Sequence, residues 1–313
     1  VFFWYDQFSL LRSRFLIIKG ETAMLNKFNQ WILAILFFSM FIPAVSFGYE
    51  EIDVKAGGTL TGKVTLKGSP PQARIFHLIT SPNMDFCGKI SDGKGNRLLE
   101  EFSMDEKGGF NNVVVLIVGI EKGKPFNYTP DVTVQNCQIS PFVTPVRNNH
   151  AINLINHDPV IHDVQTYTLK DQYTFAMFNK PLTPKETVVK QVKFRPGHYI
   201  FRVQCGVHAF MQSWGIGVGN PYFTVTANNG TFSISDIPPG EYDVIAWHPL
   251  MDASVQRIKI PSNGKIEASF EFNSQNVHIP EHDLQTGYRF DTALLPEKIP
   301  APTILPQHSR AIE

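Results

Sequence analysis

One short segment restricts how this 313-residue chain can fold more than any other. Cys205, His208 and Met211 follow directly on a strand-like run, His198-Tyr199-Ile200-Phe201-Arg202-Val203-Gln204. A thiolate, an imidazole and a thioether therefore recur at i, i+3 and i+6, a spacing by which one tight loop presents three donors to one ion. Thiolate, imidazole and a weak axial thioether together select copper, in a set that needs a second imidazole. The segment Asn156-His157-Asp158-Pro159-Val160-Ile161-His162-Asp163-Val164 offers it from a separate strand end. His162, Cys205, His208 and Met211 are thus the candidate ligands of a single copper ion, and the fold must bring two distant strand ends to one point.

Competing readings of these residues are weaker. Zinc would accept two His and one Cys, but Met is a poor zinc ligand and no fourth donor is evident. Cys205, His208 and Asp163 can be drawn as a nucleophile arrangement, yet a Met aimed at the same point argues for metal. A buried Cys beside an ordinary His and a core Met is the bland alternative. Around the ligands, Asn156, Asp163 and Phe210 are expected to support the site, Asp163 by bonding the backbone of the Cys205 loop. Phe210 and Trp214 are expected to shield it from water. His157 lies at an odd offset from His162 and reads as a loop residue. His198 and His248 read as structural histidines.

Twenty-eight basic and 28 acidic residues balance, which gives no electrostatic footprint for nucleic acid. Residues 24–48 read as a signal peptide: Lys27, an apolar run over 31–41, then Pro43, Ala44 and Ser46 as a cleavage region. Residues 1–23 read as an upstream extension. An uncleaved anchor is the rival, since 31–47 is just long enough to span a bilayer. Either way the body is expected outside the cytoplasm, periplasmic or extracellular, with no membrane span once the signal is removed. Of three cysteines, an exported chain is expected to pair two. If Cys205 binds copper, Cys87 and Cys137 are the disulfide candidates; three unpaired thiols remain the other reading.

The rest of the pattern is β. Residues 58–68 alternate, 112–118 form an unbroken apolar run, and strands are expected near 150–155, 187–194, 198–204 and 214–218. Residues 69–111, rich in Gly and Asn, read as long loops. Beyond Asn220 the chain reads strand, Asn-Asn-Gly turn, strand, Pro-Pro-Gly turn, strand, and then an alternating strand over 265–272. Residues 273–313 read as an extended or disordered tail.

These features resemble the cupredoxins, the small blue-copper proteins such as plastocyanin and amicyanin. Cys205-x-x-His208-x-x-Met211 is similar to the short amicyanin-type ligand loop. The wider pattern is similar to exported bacterial cupredoxin-like proteins often labelled methylamine-utilisation proteins. Its marks here are Asn156 to His162, Cys205 to Met211, Pro221 to Thr226, Pro238 to Tyr242 and Trp247-His248-Pro249. The resemblance implies an all-β chain, a cupredoxin Greek-key β-sandwich over 130–221 combined with a prealbumin-like (carboxypeptidase-regulatory or starch-binding-like) sandwich over 58–120 plus 222–272. It further implies one type 1 copper, with His208 as the electron exit at a surface edge. Asp163 departs from the Asn usual after the first His in blue-copper proteins.

The function expected is single-electron carriage between redox partners such as a cytochrome or dehydrogenase, not enzymatic turnover. No His-x-His pair occurs that would serve a second copper cluster. The alternative is a carbohydrate- or envelope-binding module with a vestigial or structural copper motif, with Tyr222, Phe223, Tyr242 and Trp247 as aromatics that could stack on sugars. Copper carriage is a third reading, disfavoured by the lack of a Met-rich run.

Overall fold

The computed structural model describes residues 48–78, 81–170 and 173–278. The upstream extension, all but the last residue of the signal segment, and the tail from 279 onward lie outside the described residues. Within them the protein is all-β, with four main sheets stacked as two sandwiches.

The first pair of sheets is built from residues 131–218. One has four strands in the order Thr187–Val192, His150–Asn156, Asp131–Gln135 and Gln138–Ser140. Its partner has five, in the order Tyr173–Leu182, His162–Lys170, Ile200–Cys205, Gln212–Val218 and Val143–Arg147. The second pair takes its strands from either side of that stretch. Phe223–Val225, Val114–Val118, Gly240–Trp247 and Ser254–Ile260 make one sheet, and Thr231–Ile237, Gly58–Lys67 and Lys265–Asn273 make the other. Gly58–Lys67 runs parallel to Lys265–Asn273, so the first and last long strands of this pair lie side by side.

Side-chain pattern explains the stacking. Strands that face water on one side alternate: in His162–Lys170 the residues His162, Val164, Thr166 and Thr168 are buried, and their neighbours are half-buried. Strands buried on both faces read as unbroken apolar runs. Val114–Val118, Ile200–Cys205, Gln212–Val218 and Val143–Arg147 are of that kind. Their alternate residues serve two cores. Phe201, Val203 and Cys205 point into the core of the first sandwich, while Ile200, Trp214, Ile216 and Val218 meet Val114, Leu116, Ile245 and Trp247 in a layer between the sandwiches.

Two sequence expectations change here. Residues 69–111 are not all loop: Arg74–His77 pairs with Asn96–Leu99, and a helical turn, Met84–Cys87, leads into a tighter one, Gly88–Ile90. Each element is only three or four residues long, too short to leave a periodic signal. A bidentate Arg74–Glu101 pair, buried at both ends, ties the two ends of this region together. Trp214 does not shield the candidate ligands. It lies on the opposite face of its strand, packed in the inter-sandwich layer with Trp247.

His248 behaves as a structural residue. It is fully buried, stacked among Phe102, Phe110 and Phe142, donates from Nε2 to the Glu101 carbonyl at 3.2 Å, and accepts the Leu250 N–H at Nδ1 at 3.3 Å. Burial pushes its pKa down to about 3. The native state therefore keeps it neutral where the unfolded chain, near the ordinary value of about 6.5, takes up a proton. Its stabilising share is complete above about pH 6.5 and is lost as the pH falls toward the folded value, at up to about 1.4 kcal/mol per pH unit. Urea midpoints measured from about pH 7 to pH 4 should show that slope in the wild type and a shallower one in His248→Phe.

Candidate metal centre

His162, Cys205 and His208 come together at one end of the five-stranded sheet. Antiparallel pairing sets Val164 opposite Cys205, so His162, two residues earlier on the same face, projects past the end of the Ile200–Cys205 strand. The loop that follows is closed by its own backbone. The Cys205 N–H donates to the Met211 carbonyl at 3.1 Å, the Met211 N–H to the His208 carbonyl at 2.9 Å, and the Gly206 N–H to the Asp163 carbonyl at 2.8 Å. The side chains of Asp163 and Gln165 close over Gly206, where a Cβ would sit 2.5 Å from Asp163 Oδ2 and 2.3 Å from Gln165 Nε2 and would push them aside.

The donor atoms converge. Cys205 Sγ lies 3.8 Å from His162 Nδ1 and 3.7 Å from His208 Nδ1. All three side chains are buried, with both imidazoles at 0% exposure. Met211 is buried in the same core cluster as Cys205. The rings of His162 and His208 lie 5.0 Å apart at 54°. Both therefore turn Nδ1 toward the sulfur and have Nε2 engaged elsewhere.

His162 Nε2 meets Asp158 Oδ2 at 2.9 Å. Asp158 is itself 1% exposed and is locked in place by two further donors. Its Oδ1 accepts the Asn136 N–H at 2.6 Å and its Oδ2 the Cys137 N–H at 2.8 Å. Those two residues form the tight turn between Asp131–Gln135 and Gln138–Ser140, both with φ of 53°. A turn with two positive φ values aims successive N–H groups to one side, where a carboxylate fits. Asn156 holds the other end of this loop: its amide donates to the carbonyls of Val160, Leu182 and Thr183, and its oxygen accepts the Asp158 N–H.

His208 is held from the other side. The Pro82 backbone carbonyl lies on this side of the ring and favours its protonated form, and the ring's Nε2 stands 3.5 Å from Cys87 Sγ. Cys87 and Cys137 are joined by a disulfide with Cα atoms 5.4 Å apart. Phe210 packs against His208 and Phe76 with ring centroids 5.8 and 5.5 Å away. The expectation of a surface-edge imidazole fails at His208, which is wholly buried with Cys87 and Phe210 against its ring.

Burial keeps both imidazoles in the neutral form that can ligate a metal. Burial, aided by the neighbouring His162, pushes His208 down to about 4, and burial also holds His162 below its ordinary value against the pull of Asp158. Both rings are therefore neutral near pH 7. Burial raises the Cys205 thiol, while backbone N–H groups of His208, Val207 and Asp163 that point at the sulfur favour the thiolate. Asp163 thus serves the Cys205 loop through its main chain. Its carboxylate accepts from Gln165 at 2.8 Å. His157 sits in the exposed loop before His162.

Sequence reasoning overlooked Asp158 and the 82–87 segment. Asp158 stands four residues before His162, and a carboxylate on the far nitrogen of a ligand imidazole is a common support. The other contact comes from a stretch more than a hundred residues away, for which no local pattern exists.

No family model matches the sequence, and no curated protein matches it. Solved structures do. A purple cupredoxin from Nitrosopumilus maritimus aligns at 13% identity over 28% of this chain and 98% of its own, with a TM-score of 0.24. Amicyanin from Paracoccus versutus aligns at 13% identity over 30% of this chain and 84% of its own, with a TM-score of 0.24. A copper-containing nitrite reductase from Thermus scotoductus SA-01 aligns at 14% identity over 31% of this chain and 24% of its own, with a TM-score of 0.25.

Asp158 satisfies three donors at once, two of them buried, so removing its charge should be felt without any metal. Asp158→Asn would turn an amide NH2 toward at least one of them, and each buried donor left unpaired costs about 1–3 kcal/mol. A loss of about 2–4 kcal/mol in urea unfolding of the metal-free protein is expected.

Proposed function

We propose that His162, Cys205, His208 and Met211 hold one type 1 copper ion, and that the protein carries single electrons between redox partners outside the cytoplasm without turning over a substrate. The observation that carries this reading is the spacing of the donors. Metal–sulfur and metal–nitrogen bonds of about 2.3 and 2.1 Å, opened to the 120° of a trigonal His2Cys site, put sulfur and nitrogen about 3.8 Å apart. A tetrahedral angle gives about 3.6 Å from the same bond lengths. The 3.7 and 3.8 Å separations fall within this range, so the thiolate and both imidazoles can reach one ion without rearranging.

Bound copper would supply the one-electron couple; the chain's own contribution is geometry and exclusion of water. The loop backbone fixes Cys205 relative to Met211 and His208, and Asp158 fixes the ring of His162. Phe210, 3% exposed, closes one side of the cluster. A site so fastened resists rearrangement when the charge on the ion changes, and that is the requirement for fast electron exchange. Candidate partners are a cytochrome or a dehydrogenase. Among the described residues no helix is long and apolar enough to cross a membrane. Sugar stacking draws little support, because Tyr222 and Trp247 are wholly buried.

The test is Cu(II) titration of the protein followed by visible and EPR spectra. The wild type should develop an intense thiolate-to-copper absorption at one equivalent, and Cys205→Ser should lack it. Loss of the hold on His162 in Asp158→Asn should keep the band but weaken copper affinity about 10–100-fold. A colourless wild type, or a band that survives in Cys205→Ser, would retire the copper reading.

A further inference from the structure

The disulfide stands where both imidazoles end. Cys87 Sγ is 3.5 Å from Nε2 of His208, and the backbone N–H of Cys137 binds the carboxylate that holds Nε2 of His162. Each half of one covalent bond therefore bears on a different candidate ligand, on the nitrogen turned away from Cys205. Cys137 Sγ itself lies within 4.8 Å of the ligating atoms of both Asp158 and His162.

How the 82–90 segment is fastened matters here. Its backbone–backbone hydrogen bonds are local: Phe86 and Cys87 donate to the Asn83 carbonyl, and Ser91 donates to that of Gly88. Phe86 and Ile90 are only partly buried where they pack on the core. What joins this segment covalently to the sandwich is the bond to Cys137, across a loop of 50 residues. Yet the segment alone supplies the Pro82 and Cys87 contacts that cover His208.

We infer that the Cys87–Cys137 disulfide is the outer wall of the metal centre, positioning both imidazoles, so that cleaving it opens the centre to solvent while both sandwiches stay folded. The inference rests on the copper reading for its purpose but not for its geometry. A dithiol cleaves the bond in two exchange steps. Its first thiolate bonds one cysteine sulfur and expels the other. Its second then displaces that first sulfur and closes a cyclic disulfide. The cysteines gain two electrons and the two protons that the dithiol gives up. The wall is then two thiols, without the covalent bond that held residues 82–87 over His208.

The test begins with the metal-free full chain. Diethyl pyrocarbonate labels accessible imidazoles and iodoacetamide labels accessible thiols, and peptide mass spectrometry locates each adduct. Three forms are compared: the oxidised wild type, the wild type reduced with dithiothreitol and then desalted, and Cys87→Ala/Cys137→Ala. His208 and Cys205 should be almost inert in the first form and react about tenfold faster or more in the other two, as local opening demands. His248, fully buried against Phe110 of the other core, reports on the rest of the fold and should stay protected in all three. If His208 stays inert in both opened forms, the disulfide is not the wall. If His248 becomes reactive together with His208, the bond serves the whole fold and the inference is likewise overturned.

A parallel copper-loaded series measures transfer to EDTA. Release should be about tenfold faster without the disulfide, as expected of a centre that opens locally, with the EPR hyperfine splitting altered. Equal release and an unchanged spectrum would count against positioning of the imidazoles. If the oxidised wild type shows no thiolate-to-copper band, the copper reading falls, and the labelling pattern still decides whether the disulfide walls the His-Cys cluster.

Discussion

The register between His162–Lys170 and Ile200–Cys205 is the constraint on which the rest depends. Setting Val164 opposite Cys205 puts His162, Val164, Val203 and Cys205 on the core side of one sheet. A slip of one residue would turn every one of those side chains to the other face. That other face is not solvent for much of this sheet, because Ile200, Trp214, Ile216 and Val218 fill the layer against the second sandwich. Misregister would bury the polar partners of one core in another, so the position of the donors is enforced by two apolar layers at once.

From this follows a division of labour among the groups around the sulfur. The sheet fixes where Cys205 and His162 start, and the loop backbone fixes where His208 and Met211 arrive. The direction of each ring is a separate matter, decided at its far nitrogen by Asp158 for His162 and by Pro82 with Cys87 for His208. Asp158 in turn depends on a hairpin whose two central residues have positive φ. A rigid centre here is therefore a chain of short-range contacts, each anchored on regular structure.

What was legible in the sequence follows the same line. Cys205, His208 and Met211 announce themselves because their spacing is local, and His162 because it precedes a strand within a distinctive segment. The β class and the buried run 112–118 were readable from pattern, as strand Val114–Val118 shows. His208's burial was not, since its cover comes from residues 82–87. Nor was the side on which Trp214 lies, because a strand buried on both faces gives no alternation to read. Asp158 was visible as a residue but not as a partner. Its role depends on N–H groups of a turn 21 and 22 residues earlier that are aimed at it only in the folded chain.

The arrangement also limits how anything outside can reach the cluster. Below it lies the core of the first sandwich, and beyond the five-stranded sheet lies the inter-sandwich layer, so both directions are closed by packed side chains. The remaining directions are the sheet end itself, formed by the 157–161 loop, the 205–211 loop and residues 82–90. Ile161, half-exposed in the first of these loops, and Met84, beside the disulfide, bring apolar surface to that end. Of these three segments, the 205–211 loop is closed by its own backbone bonds and the 157–161 loop is clamped by Asn156, whereas residues 82–90 are held chiefly through a sulfur–sulfur bond. Of the three, the fastening that rests most on a single bond thus sits directly against the His208 imidazole.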